Sequence, residues 1–234
     1  MKLPSIDYKF WLYDWSKSIG EQKIYTNKNM IKYIIFDGNI NSCTNEIFSI
    51  IKSDKIDNSS VLRVIDLIYS WGGKSGRMFY ASSRGQLSPR EDLEINEEAL
   101  IKYMKGIELA MSGNPDSIEY FCEINGIGKS YASKHAYFWS LNSSNPLIIV
   151  DSKIAGSLGY KTINSLLNNF SYESIITSFK SKALDEFTDG NPSNVERALF
   201  AFHNHYFLND NSGWKNNIEN HDYEEALRLA KTLF

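Results

Sequence analysis

Cysteine and long apolar runs are scarce in this sequence, and their scarcity excludes several classes of protein. The two cysteines, Cys43 and Cys122, belong to no C-x-x-C pair, so neither a cysteine-built metal centre nor a disulfide scaffold is expected, and no cofactor is predicted. The longest purely aliphatic run is residues 147–150, far too short to span a membrane. The N-terminal region has no uninterrupted apolar stretch typical of a secretory signal, so a cytoplasmic protein is expected.

An excess of positive charge is also absent. Lys and Arg number 25, Asp and Glu number 28, and the formal net charge is −3, which excludes a protein that coats DNA by charge alone. Local basic faces remain compatible with this balance, because salt screens distant surface charges. Residues 71–90 carry four cations and no acid: Lys74, Arg77, Arg84 and Arg90. Residues 124–153 carry three cations and one acid: Lys129, Lys134, Lys153 and Asp151.

Hydrophobic spacing predicts an all-α, or nearly all-α, protein, and 234 residues suffice for one large domain or for two lobes that share a cleft. The aromatic segment 8–15 is expected to pack on the core. Asn96 is the expected N-cap of a helix with Glu97 and Glu98 in its first turn. Helices are predicted over residues 44–52, 59–70, 96–111, 116–124, 129–141, 152–158, 172–180, 194–207 and 223–233. The only candidate strands are residues 34–36 and 147–150.

The most informative stretch, residues 118–158, contains a glycine turn between two predicted helices. Gly126 and Gly128 can adopt positive φ angles and let another backbone approach closely. Their N–H groups precede a helix, where the helix dipole favours an anion such as a DNA phosphate. Lys129 adds a cation beside the turn, and Ser130 follows it. A simple turn between two packed helices is the commoner explanation of two glycines at this spacing.

Asp151 follows the aliphatic run and precedes a predicted helix. At that position it can accept hydrogen bonds from the first N–H groups of the helix, which would hold the carboxylate fixed. A fixed carboxylate at the mouth of an apolar pocket can stabilise a developing oxocarbenium ion at a sugar C1′, or orient an attacking water. A plain helix cap is far commoner than a catalytic acid, so a purely structural role is the alternative for Asp151.

Together, the glycine turn and the acid resemble the helix-hairpin-helix DNA glycosylase superfamily, in which a Gly-x-Gly hairpin precedes an Asp in an apolar-Val-Asp context. Gly126, Gly128, Val150 and Asp151 match this pattern. Residues 132–134 (Ala-Ser-Lys), 137–139 (Tyr-Phe-Trp) and 151–155 (Asp-Ser-Lys-Ile-Ala) are most similar to the 8-oxoguanine DNA glycosylases of bacteria and archaea. No cysteine follows Cys122, which excludes the branch that carries a C-terminal iron–sulfur cluster.

The resemblance implies a two-lobed fold over residues 1–234, with a central cleft and with the hairpin and the catalytic acid in residues 116–158. It implies a monomeric enzyme, associated with the nucleoid, that acts on double-stranded DNA and not at a membrane. The reaction would flip a damaged or modified base, such as 8-oxoguanine, out of the duplex and cleave its N-glycosidic bond with Asp151. Base excision repair and defence against phage DNA with modified bases both fit this activity.

The resemblance leaves the source of a nucleophilic amine open. In bifunctional members a lysine lies two residues after the second hairpin glycine, but here that position is Ser130, as in the monofunctional adenine-specific relatives. Lys134 lies one helical turn further along the same face and is the favoured nucleophile for an AP lyase step. A phosphate contact or a surface position is the alternative for Lys134, and Lys129 is the other candidate amine.

A flipped base needs a pocket, and aromatic side chains supply stacking there. The candidates for this pocket are Trp71, Phe138, Trp139, Phe200, Phe202 and His203, each of which is also explained as a core residue. The candidate DNA strand contacts are Arg77, Arg84 and Arg90, with a solvated loop as the alternative. His203 and His205 fall on different faces of a helix, so no metal site is predicted.

Two other functions fit parts of the sequence. A non-catalytic helix-hairpin-helix module would bind duplex DNA through the hairpin and would need neither Asp151 nor a pocket for a base. A protein-interaction domain in which the hairpin is incidental would show no salt-dependent DNA binding.

Overall fold

The computed structural model describes residues 1–27, 34–53, 56–72 and 88–207. Over these residues the protein is mostly helical, as predicted, with one two-stranded sheet. The chain divides into two compact units. The first comprises residues 1–19 and the described residues from 148 onward, and the second comprises the described residues between Gly20 and Leu147. No helix in the described part of the chain is long and apolar enough to cross a lipid bilayer.

The elements follow one another along the described chain with short connections. The α-helices are α1 (Tyr8–Asp14), α2 (Ile40–Ile51), α3 (Asn58–Trp71), α4 (Pro89–Ile95), α5 (Glu97–Met111), α6 (Ser117–Cys122), α7 (Lys129–Trp139), α8 (Ser152–Ser157), α9 (Ile163–Leu167), α10 (Tyr172–Glu186) and α11 (Pro192–Phe207). A π-helix, Trp15–Ile19, continues α1. The strands are β1 (Lys23–Asn27) and β2 (Ile34–Asn39).

Aromatic residues join α1 to α11 in the first unit. Trp11 meets Phe202 edge to face, with 5.6 Å between ring centroids, and Tyr8 is completely buried. The aromatic N-terminal segment therefore packs on the core, as predicted, and it does so as a helix capped by the side chain of Asp7. Helices α8 and α10 also pack against α11, which makes α11 the central element of this unit.

In the second unit, α7 is the central helix, and it contacts α2, α3, α5 and α6. Its residues from Tyr131 to Trp139 are all buried. Close approach of α5 and α6 depends on Gly106, because a Cβ there would lie 2.8 Å from the ring of Phe121. The antiparallel sheet pairs β1 with β2, from Lys23 opposite Asn39 onward, with an irregularity after Thr26.

Side-chain caps explain most of the helix starts. The side chain of Asn96 accepts a hydrogen bond from the Ala99 N–H at 3.2 Å, which confirms the predicted cap of α5. Helix α6 is an exception, because Asp116 occupies the N-cap position without a side-chain cap bond. Asn114 instead accepts from the N–H of Asp116 itself, before the helix begins.

The predicted strand at residues 147–150 is wrong. All four side chains are buried, but the backbone of this segment forms no strand. Side chains make hydrogen bonds that a neighbouring strand would make to a true strand. The N–H of Leu147 donates to the Ser140 hydroxyl at 2.9 Å, and the carbonyl of Ile148 accepts from the Tyr172 hydroxyl. The aliphatic run is therefore a buried segment in which side chains satisfy the Leu147 N–H and the Ile148 carbonyl.

Five elements of the described chain lie where the sequence analysis predicted no helix or strand: α1, the π-helix that continues it, β1, α4 and α9. Helix α4 has a clear local signal, since Ser88 and Glu91 form a capping box around Pro89. Helix α10 also extends beyond its predicted end at residue 180, to Glu186. The predicted helix over residues 223–233 lies outside the described residues.

Gly72 ends α3 directly against a tyrosine of α7, which gives a first prediction. Its φ of −66° suits any residue, but a Cβ would lie 2.4 Å from the Tyr131 hydroxyl oxygen. We expect Gly72→Ala to lower the free energy of unfolding by about 1–3 kcal/mol, the usual range for overpacking. Urea denaturation measures this change.

Removal of the tyrosine hydroxyl provides the control. In the Tyr131→Phe background, Gly72→Ala should lower the free energy of unfolding by about 1 kcal/mol less than it does in wild type, but the loss should not vanish. Two ring carbons of Tyr131 would still lie 3.1 and 3.2 Å from the new Cβ. Equal costs in both backgrounds would contradict the contact.

Candidate functional site

Asp151 starts α8 in the first unit, and its side chain caps that helix. Oδ1 accepts hydrogen bonds from the backbone N–H groups of Lys153 at 3.0 Å and Ile154 at 3.1 Å. The residue is 8% exposed. The capping role is therefore confirmed. A cap holds the carboxylate in a fixed orientation, which a catalytic role also requires.

Helix α11 contributes the neighbours of this acid. The Lys153 ammonium donates a hydrogen bond to Oδ1 of Asn204 and lies 4.3 Å from the ring centroid of Phe200. Burial of His203, aided by the positive charge of Lys153 and opposed by the negative charge of Asp151, lowers the pKa of His203 to about 4. His203 is therefore neutral at pH 7, and it shares one site with Asp151 and Lys153, whose charges act on it.

We call these five residues, Asp151, Lys153, Phe200, His203 and Asn204, the acid site. Asp151 was predicted as the catalytic acid, and Phe200 and His203 were predicted to stack on a base. His203 is 1% exposed, so it has no free face for stacking. Lys153 and Asn204 were not assigned a role from the sequence. One signal could have found Asn204, because Phe200, His203 and Asn204 have the i, i+3, i+4 spacing of one helix face.

The glycine turn lies in the second unit and is exposed. Gly126 has a φ of 79°, so the predicted positive angle is confirmed there. It is wrong for Gly128, which is extended (φ −83°, ψ 170°) and is the N-cap of α7. Gly128 supplies no side-chain cap to the first turn of α7, and a Cβ on it would meet no atom within 4 Å. The turn thus presents open space beside the start of a helix, flanked by the exposed Lys129.

Lys134 lies one turn into α7, on the same face as Ser130. Its Nζ is 3.5 Å from the Ser130 hydroxyl and 5.3 Å from the ring centroid of Tyr131. The residue is 6% exposed, so the surface position considered as an alternative is excluded. Ser130 and Lys134 therefore lie on the same face of α7, as the sequence predicted.

Most of the predicted stacking residues are core residues. Trp71 meets Phe138 edge to face, with 5.4 Å between ring centroids, and its indole N–H donates to Thr44 at 3.1 Å. Phe138, Trp139 and Phe202 are completely buried, whereas Trp71 is half-buried. Those three side chains have no exposed face on which a base could stack. Of the four rings, only Trp71 is accessible to solvent.

A buried polar chain in the second unit was not predicted. The Trp139 indole N–H donates to the Tyr103 hydroxyl at 3.2 Å, and that hydroxyl lies 2.7 Å from Nδ1 of His135. Because an indole only donates, the Tyr103 oxygen accepts the bond from Trp139. Burial, aided by the charge of Lys134, lowers the pKa of His135 to about 3. His135 is a neutral core residue next to Lys134 in sequence.

The structure describes only one of the three candidate arginines. Arg90 pairs with Asp66 of α3 and with Glu94 of α4, so it joins two helices. Arg90 was predicted to contact a DNA strand, but its ion pairs instead stabilise the packing of α3 and α4. Arg77 and Arg84 lie outside the described residues, as does the side chain of His205.

Comparisons with protein-family models, with curated proteins and with solved structures find no match for this chain.

Proposed function

We propose that this protein is a DNA glycosylase that extrudes a damaged or modified base from double-stranded DNA and cleaves its N-glycosidic bond. The observation that carries the proposal is the Asp151 carboxylate, nearly buried and fixed by two backbone hydrogen bonds at the start of α8. Its neighbours are a neutral histidine and an oriented lysine, a combination that a simple helix cap does not need.

The fixed carboxylate suits the chemistry of glycosidic cleavage. As the base leaves with the bonding electrons, positive charge develops at C1′ of the sugar, and an oriented negative charge stabilises it. The carboxylate also accepts a proton from the water that attacks C1′. His203, kept neutral by burial, adds no opposing charge to this site.

The glycine turn supplies the grip on DNA in this proposal. Gly128 leaves room for a phosphate beside the start of α7, Gly126 turns the chain there with a positive φ, and the exposed Lys129 adds charge. Ser130 lies in the first turn of the same helix. The proposal includes the two-lobed helix-hairpin-helix glycosylase fold that the sequence resembles, acting as a monomer on chromosomal or phage DNA.

A non-catalytic DNA-binding module is the second candidate function. The exposed turn at Gly126 favours it, because a phosphate bound at this turn needs no contribution from Asp151. This module would bind intact and modified duplexes equally and would release no base.

Base release from defined duplexes tests the proposed activity. Duplexes that carry 8-oxoguanine, uracil, alkylated bases or glucosylated hydroxymethylcytosine are incubated with the protein, and the free base is measured. We expect release from at least one modified duplex and none from the unmodified control. Binding to all duplexes without release from any of them would favour the non-catalytic module.

The amine of Lys134 is the proposed nucleophile of an associated lyase step. Borohydride added during the reaction reduces a Schiff base between a lysine and C1′ and traps the protein on DNA. We expect Lys134→Met, which keeps most of the buried stem, to abolish trapping, whereas Lys129→Met keeps it. Trapping that persists in Lys134→Met and is lost in Lys129→Met would assign the amine to the turn instead.

A further inference from the structure

We propose that Lys153 binds the phosphate of the extruded nucleotide beside Asp151, with Asn204 and Phe200 holding its ammonium in place. This inference rests on the proposed function and deepens it, because it identifies which part of the substrate the acid site receives besides the sugar.

The first support is that the ammonium is held although the residue is only half-buried. A lysine stem carries large rotamer entropy, and exposed ammonium groups are ordinarily not held in one place. Here Asn204 accepts a hydrogen bond from the amine and Phe200 lies under it at 4.3 Å. Both come from α11, so contacts to this helix orient the cation. An ordered ammonium is a preorganised binder of a phosphate oxygen.

The second support is electrostatic. A carboxylate that approaches DNA is repelled by the phosphates, and the repulsion is strong where burial lowers the local dielectric. Lys153 follows Asp151 by two residues, and residues 152–162 contain the cations Lys153 and Lys161 and no acid. His203 stays neutral, so it neither adds to nor cancels the charge of Lys153. The lysine therefore offsets the repulsion where the acid meets the substrate.

The partner that fits this arrangement is a phosphodiester and not a carboxylate-bearing protein. The amine is a point charge without the fork of donors that an arginine offers to a carboxylate. It also lies in the same site as the acid proposed to act on a sugar, and a phosphate is the anion covalently joined to that sugar.

The salt dependence of DNA binding tests the proposal. The affinity for a non-cleavable duplex is measured between 50 and 200 mM salt for wild type, Lys153→Met, Asn204→Asp and Lys9→Met. One lost phosphate contact should reduce the log–log slope by about 0.9. We expect that reduction in Lys153→Met, which keeps the apolar stem over Phe200. We expect it also in Asn204→Asp, where a carboxylate neutralises the amine.

Lys9→Met is the matched control, because it removes one exposed positive charge on α1 of the same unit. Its slope should stay at the wild-type value. A wild-type slope in Lys153→Met, with base release intact in wild type, would overturn the phosphate contact alone. No base release from any duplex, with the slope still reduced in Lys153→Met, would overturn the glycosylase but keep the contact. Loss of borohydride trapping in Lys153→Met but not in Lys134→Met would make Lys153 the nucleophile and overturn its role as a phosphate contact.

Discussion

Replacement of Asp151 by asparagine is expected to abolish base release while leaving the fold nearly unchanged. Asparagine is as good an N-cap as aspartate, and its side-chain oxygen can accept the same bonds from Lys153 and Ile154. The negative charge disappears, and with it the stabilisation of positive charge at C1′. Electrostatic and general-base contributions of single groups are typically about 10²–10⁴-fold in rate. We therefore expect a loss of that size in single-turnover base release.

The same substitution at another helix start of this unit separates catalysis from capping. Asp7 caps α1 through the N–H of Phe10 at 2.9 Å, so Asp7→Asn makes an identical change of charge at a cap with no proposed role in catalysis. We expect Asp7→Asn to keep full activity, and both variants to unfold within about 1 kcal/mol of wild type in urea. Equal activity of Asp151→Asn and wild type would reduce Asp151 to a structural cap.

The parts of the fold that were predicted correctly depend on neighbours in sequence. The helix that starts at Asn96 is defined by its cap and by the acids of its first turn, and Asp151 caps α8 for the same reason. Gly126 turns the chain because its own φ allows it. Each of these features involves residues within about four positions of one another, which a single sequence displays directly.

The parts that were missed depend on residues distant in sequence. Residues 147–150 have the composition of a buried strand, but Tyr172 satisfies the backbone carbonyl at Ile148, and nothing in the run itself indicates this. The position of Lys153 depends on Asn204, 51 residues later. Phe138 and Trp139 are aromatic residues of the kind that stack on a base, and only their tertiary contacts show that they are core residues.

Acid is expected to destabilise the protein well above the pH at which carboxylates are protonated. The pKa of His135 is lowered to about 3 and that of His203 to about 4, in both cases chiefly by burial. In the unfolded chain both groups titrate near pH 6.5. Between pH 6.5 and 4 the unfolded state therefore binds protons that the folded state does not, and the free energy of unfolding falls as the pH falls. Above about pH 7.5, one unit beyond the unfolded pKa, neither histidine contributes to this dependence.

The size of the effect follows from the same linkage. Between pH 7 and pH 5 each histidine should lower the free energy of unfolding by about 2 kcal/mol, so the pair should lower it by about 4 kcal/mol. Urea denaturation at the two pH values measures the difference in wild type, His135→Asn and His203→Asn. Asparagine offers a non-titrating acceptor to the Tyr103 hydroxyl that now faces His135. Each variant should be less stable at pH 7, because it loses buried volume, yet its loss between pH 7 and pH 5 should be smaller by about 2 kcal/mol. If the loss were the same in all three proteins, it would have to come from groups other than these two imidazoles.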